Sequence, residues 1–231
     1  MKTLGIIGGI GPESTISYYR SLVETYRRRR PDGSYPPIIL NSIDLKRMLD
    51  HIASNQLPEA TKYLLGEIGK LAKAGADFGL LAANTPHLVF NELQKKSPIP
   101  LLSIVETTLR AAAAANLMRL ALFGTRFTME GKFYPEVFSR GGITIVLPNP
   151  EEREFIHTKY MNELIPGVFL GETRERLLAI VEEMKKREGI QGVILGGTEL
   201  PLILPDASAN GIPFLDTTKI HVEAAIEYML L

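Results

Sequence analysis

The chain of 231 residues contains no cysteine. That absence excludes disulfides, thiolate metal sites and cysteine nucleophiles at a stroke. An excess of one charge is also lacking, because 26 Lys and Arg balance 26 Asp and Glu. Nucleic-acid binders draw much of their affinity from phosphate contacts and usually carry a basic excess, so no nucleic-acid partner is expected. No apolar run approaches the roughly 18 residues needed to cross a bilayer. The start, Met1-Lys2-Thr3-Leu4-Gly5-Ile6-Ile7-Gly8-Gly9, has one basic residue and then a β-like run. It reads as a buried strand rather than a signal peptide, which points to a cytoplasmic protein with no membrane partner.

What is present is alternation. Apolar runs suited to strands fall at Leu4–Gly8, Ile38–Ser42, Phe78–Ala83, Leu101–Ile104, Leu120–Gly124, Ile143–Leu147, Gly192–Gly196 and Pro213–Leu215. Several are apolar on consecutive residues, as parallel strands covered on both faces require. Between them run helical patterns. Glu59–Ala74 carries a stripe of Leu64, Leu65, Ile68, Leu71 and Ala72, and Glu172–Arg187 carries Leu177, Leu178, Ile180, Val181 and Met184. This order predicts an open, parallel-sheet α/β fold.

A faint internal repeat divides it. Gly8-Gly9 matches Gly124-Thr125, Ala83-Asn84-Thr85 matches Gly197-Thr198-Glu199, and Pro100-Leu101-Leu102-Ser103 matches Pro213-Phe214-Leu215-Asp216, at offsets of about 113–115 residues. Two similar four-stranded lobes related by a pseudo-twofold are expected: 1–115 with 209–231, and 116–208. The final helix, 217–230, is expected to pack back on the first. Open α/β sheets bind ligands beyond the C-terminal strand ends, so a cleft between two facing lobes is the expected site.

The first strand end, Gly8-Gly9-Ile10-Gly11-Pro12-Glu13-Ser14, invites a dinucleotide reading. The third glycine of G-x-G-x-x-G is Ser14, however, Asp44 lies too far along to hold a ribose, and Glu13 would repel a pyrophosphate. A tight turn at Gly9 lining a pocket is the better reading, and no cofactor is expected. At the third strand end, backbone N–H groups with the side chains of Asn84 and Thr85 can hold a carboxylate. They can equally serve only to cap the next helix. Thr125, Thr128 and Thr198 add polar groups at other strand ends, and Arg47 and Lys159 can bind a distal carboxylate. His51, His157 and His221 show no metal-ligand spacing, so no catalytic metal is expected.

The segments Gly8–Thr15, Asn41-Ser42-Ile43-Asp44, Ala83-Asn84-Thr85-Pro86-His87, Gly124-Thr125-Arg126-Phe127-Thr128-Met129-Glu130 and Gly192–Leu200 together resemble the aspartate/glutamate racemase family. The resemblance runs in order through nearly the whole chain. It implies two α/β lobes, a homodimer, no cofactor, and inversion of an acidic amino acid at its α-carbon by two cysteines, one from each lobe. Here those two positions are Ala83 and Gly197. A thiol with a pKa near 8.5, lowered at a helix N-terminus, exchanges protons near neutrality, whereas a methyl group or a hydrogen does not. The carboxylate cradle is therefore expected to persist while two-thiol racemisation is impaired or altered. Glu199, Thr198, His87 and Asp44 are the residues left to consider as replacement proton carriers. The readings that stand are an isomerase with changed chemistry, a catalytically silent protein that binds a small carboxylate or amino acid, and a nucleotide-dependent enzyme using the first glycine turn.

Overall fold

A computed structural model describes all 231 residues. It contains two compact units, Met1–Ile104 with His221–Leu231, and Val105–Ile220. The first holds strands β1 (Leu4–Gly8), β2 (Ile38–Ser42), β3 (Phe78–Leu81) and β4 (Leu101–Leu102), all parallel, in the order β2-β1-β3-β4. The second holds β5 (Arg119–Phe123), β6 (Thr144–Val146), β7 (Gly192–Leu195), β8 (Ser208–Ala209) and β9 (Ile212–Asp216), in the order β6-β5-β7-β9-β8. Its first four positions repeat the order of the other sheet, strand for strand, and these pairs are also parallel. The fold is α/β, with two parallel-sheet units.

Every residue of β1, β3 and β7 is buried, as consecutive apolar residues in doubly covered strands require. In the first unit, Leu4, Ile6, Phe78 and Leu80 pack against Tyr18, Leu22 and Tyr26 of helix Pro12–Arg29. Val222, Ala225, Ile226 and Met229 of helix Thr217–Leu230 close the same core. In the second, Leu177, Ile180, Val181 and Met184 of helix Gly171–Glu188 cover Phe123, Val193 and Leu195. No helix is long and apolar enough to cross a membrane.

The unit boundaries fall at 104/105 and 220/221, against the expected 115/116 and 208/209. Two local interactions account for the difference. Helix Ile104–Ala114 pairs Glu106 with Arg140 at 3.1 Å, which ties it to the second unit. Strand β9 hydrogen-bonds to β7, so it belongs to the second sheet. The sequence reading also has no counterpart to β8, which turns back on β9 through Asn210 (φ 50°) and Gly211 (φ 76°).

Candidate functional site

In the first unit, three strand ends are tied together, two of them by side chains at the start of helix Pro12–Arg29. The Gly9 amide donates to Thr15 Oγ1 at 2.8 Å, and that hydroxyl donates to the Gly11 carbonyl at 3.2 Å. Ser14 Oγ donates to the Ala82 carbonyl at 3.0 Å, fixing the backbone immediately before Ala83. The Ile43 amide donates to the Gly8 carbonyl at 2.9 Å. Gly9 has φ +78°, and a Cβ there would sit 2.5 Å from the Ile43 carbonyl oxygen. Glycine is required at this turn by both conformation and close approach. Ala83, Asn84 and Thr85 follow, all buried. Asn84 makes no side-chain capping bond.

The second unit presents an equivalent end. Gly124 and Gly196 lie so close that a Cβ on Gly124 would be 2.7 Å from the Gly196 carbonyl oxygen. The Gly196 amide donates to the Phe123 carbonyl at 2.7 Å, extending the ladder one residue past β7. Thr125 caps helix Arg126–Glu130, its hydroxyl accepting from the Thr128 amide and lying 3.3 Å from Thr128 Oγ1. Thr198 and Glu199 are buried beside Gly197.

The helices at these ends are short. Thr85–Val89 is a 3₁₀ turn of 5 residues, Arg126–Glu130 has 5 and Leu200–Ile203 has 4. So few aligned peptides sum to a weak dipole, so a bound anion would rely on individual N–H and O–H donors.

The remaining sequence candidates occupy structural positions. Asp44 is the N-cap of helix Leu45–Ala53 and accepts from the Lys46 amide at 2.9 Å. The Arg47 guanidinium stacks 4.5 Å from the centre of the Tyr63 ring, in an open groove shared with His51, Lys62 and Lys70. Lys159 pairs with Glu163 one helical turn on. His87 is buried, stacks on Phe90 at 4.6 Å, and accepts the Ile104 amide on Nε2 at 3.2 Å. Burial, with the nearby His221, pushes its pKa down to about 3, although the Ala83 and Asn84 backbone acts in the opposite direction. His87 is thus a neutral imidazole whose accepting nitrogen is already used.

Tyr160 is the residue that the sequence reading missed. It opens a π-helical turn, Tyr160–Leu164, closed by the Ile165 amide donating to its carbonyl at 3.0 Å. Such turns often occur at functional sites. The helix before it, Pro150–Lys159, is anchored by a capping box between Asn149 and Glu152, and Arg187 grips both Glu152 oxygens at 3.1 and 2.9 Å. The Tyr160 phenol donates a short hydrogen bond to Glu199 Oε2, and Thr198 Oγ1 donates to the same oxygen at 3.0 Å. Burial, the Glu199 charge and this hydrogen bond raise the phenol well above its ordinary range, so it stays protonated. The ring lies against Gly197: a Cβ there would be 2.8 Å from both Cζ and the phenol oxygen. Its signal in the sequence is slight, because Glu199 lies 39 residues away.

Two units with one strand order, and buried polar groups following the strand ends of each, define a class of duplicated α/β protein. The sequence profile described as Asp/Glu/hydantoin racemase matches residues 7–225. The chain belongs to that family. It is 25% identical over 242 residues to the broad specificity amino-acid racemase RacX of Bacillus subtilis, covering 98% of each chain. A candidate Asp/Glu racemase from Yersinia pestis superposes with a TM-score of 0.89 at 31% identity, over 100% of both chains. An aspartate racemase homologue from Pyrococcus horikoshii does so with 0.84 at 33%, again over 100% of both.

Proposed function

We propose that this protein binds a small acidic amino acid or a closely related carboxylate without a cofactor, and that it does not racemise it by a two-thiol mechanism. The observation that carries this reading is the pairing of buried donors with missing thiols. Asn84 and Thr85 follow Ala83, and Thr198 follows Gly197, at the ends of corresponding strands in two sheets of one order. Polar side chains kept in such positions can satisfy an anion without a helix dipole or a metal. Neither a methyl at 83 nor a hydrogen at 197 can carry a proton to or from the α-carbon.

Thermal denaturation with L- and D-aspartate, L- and D-glutamate, and unsubstituted dicarboxylates tests the proposal. A ligand that binds only the folded state raises its stability according to its concentration over Kd. At least one of these compounds is expected to raise the melting temperature in a saturable way at millimolar concentration. Inertness of every one of them contradicts the proposal.

A further inference from the structure

The second unit lacks a side chain at residue 197, yet a proton-bearing atom stands close beside that position. The Tyr160 phenol oxygen is 2.8 Å from the position of a Cβ on Gly197. The nearest atoms to that Cβ position, the phenol oxygen with ring Cε2 and Cζ, all belong to Tyr160. We propose that Tyr160 is the proton-carrying residue of the second unit and that Glu199 is the group that takes and returns its proton. The inference rests on the carboxylate-binding reading and assigns it a reaction.

Three observations support the relay. First, the ring and its two partners are almost completely enclosed, with Tyr160 4%, Thr198 3% and Glu199 2% exposed, so their contacts are fixed rather than sampled. Second, Glu199 Oε2 accepts from both the phenol and Thr198, which aims one carboxylate oxygen at the phenol proton. Third, the phenol stays protonated at ordinary pH, so it acts only with its proton leaving as another arrives, never as a free phenolate.

The step balances within these groups. As the phenol oxygen takes the α-proton of a bound amino acid, its own proton passes to Glu199 Oε2. The C–H electron pair stays on the α-carbon and delocalises into the adjoining carboxylate, held by the strand-end donors. Reversal returns a proton to the same face of the α-carbon. In deuterated water the phenol, which now carries the former α-proton, and Glu199 both exchange their protons for deuterons before reversal. The product is the starting enantiomer carrying deuterium, because one group on one face both removes and returns the proton.

The test incubates L- and D-aspartate and L- and D-glutamate with the intact protein in deuterated water and follows the α-position by NMR. One enantiomer of an amino acid that stabilises the fold is expected to gain α-deuterium with its configuration retained. Tyr160→Phe keeps the ring and is expected to lower that rate by about 10²–10⁴-fold while leaving thermal stabilisation by the same amino acid in place. Glu199→Gln, with Tyr160 untouched, is expected to slow exchange comparably, a loss that packing alone does not produce. Stabilisation without exchange in the parent, or undiminished exchange in Tyr160→Phe, overturns the relay and leaves carboxylate binding standing. No stabilisation by any of the four overturns both.

Discussion

The ring of Tyr160 occupies the space that a side chain on Gly197 would need, with Cζ and the phenol oxygen both 2.8 Å from that Cβ position. Gly197 is not among the glycines with positive φ, so its backbone admits an L residue and the nearest obstacle is the Tyr160 ring. The absence of a thiol at 197 and the presence of Tyr160 are therefore one feature of the fold.

Gly197→Cys is expected to destabilise the protein by about 1–3 kcal/mol through overpacking. Tyr160→Ala opens a cavity and is expected to cost about 3–5 kcal/mol, in line with other large aromatic truncations. The two together are expected to cost less than their sum, since each relieves the other. Urea denaturation midpoints of the four proteins measure this coupling, and simple additivity would show that the ring does not hold residue 197 small.

Restoring thiols has the same geometric condition. Ala83→Cys with Gly197→Cys is expected to remain a poor racemase, because the second thiol and the ring compete for one volume. Adding Tyr160→Ala gives that thiol room, and inversion of a bound acidic amino acid is expected to rise in the triple variant above the double. Circular dichroism alongside chiral chromatography separates folding from chemistry. Efficient racemisation by the double variant would contradict the steric argument.

His87 links stability to pH. Its folded pKa of about 3 lies below the ordinary 6.5, so the unfolded chain binds the proton more readily between those values. The stabilising contribution is fully present above about pH 6.5 and is lost as pH falls towards 3, an effect on the order of a few kcal/mol. Denaturation across that range is expected to show a shallower acid loss in His87→Gln than in the parent. Parallel pH profiles would show that His87 is not the buried neutral group.

The Glu152 carboxylate anchors the helix that delivers Tyr160. Burial acts to raise its pKa, but the Arg187 hydrogen bonds, the Asn149 backbone and the Arg187 charge outweigh that and hold it below the usual carboxylate range. A depressed carboxylate stabilises above its unfolded pKa and loses that contribution as pH falls through the folded value. Glu152→Ala breaks both the capping box and the Arg187 pair, and is expected to cost about 1–3 kcal/mol near neutral pH. Equilibrium unfolding at neutral and acidic pH checks the size and the direction, since the gap between parent and variant should narrow in acid.

Much of the fold was legible because local pattern and tertiary role coincide in it. Leu4–Gly8 and Ile38–Ser42 are strands over the residues their apolar runs mark, and helix Thr217–Leu230 begins and ends where expected. The Asn210-Gly211 pair is itself a hairpin signal, and both residues take positive φ there. For the helices after the strand ends, Pro86 marks a start but nothing in sequence fixes where a single turn stops. Asp44 and Arg47 lie near a strand end in sequence, but one caps a helix and the other stacks on Tyr63. Tyr160 could not be read at all. Its role depends on a π-helical register shift and on a glycine and a carboxylate brought to it by another strand end.

Racemisation by the unmodified protein is the most direct test of what replaces the missing thiols. Incubated with L-aspartate or L-glutamate and followed by chiral chromatography, the protein is expected to leave the enantiomer unchanged, whether or not α-deuterium enters it in deuterated water. Steady accumulation of the D form towards an equal mixture would contradict this. It would mean that a second proton carrier acts on the bound amino acid.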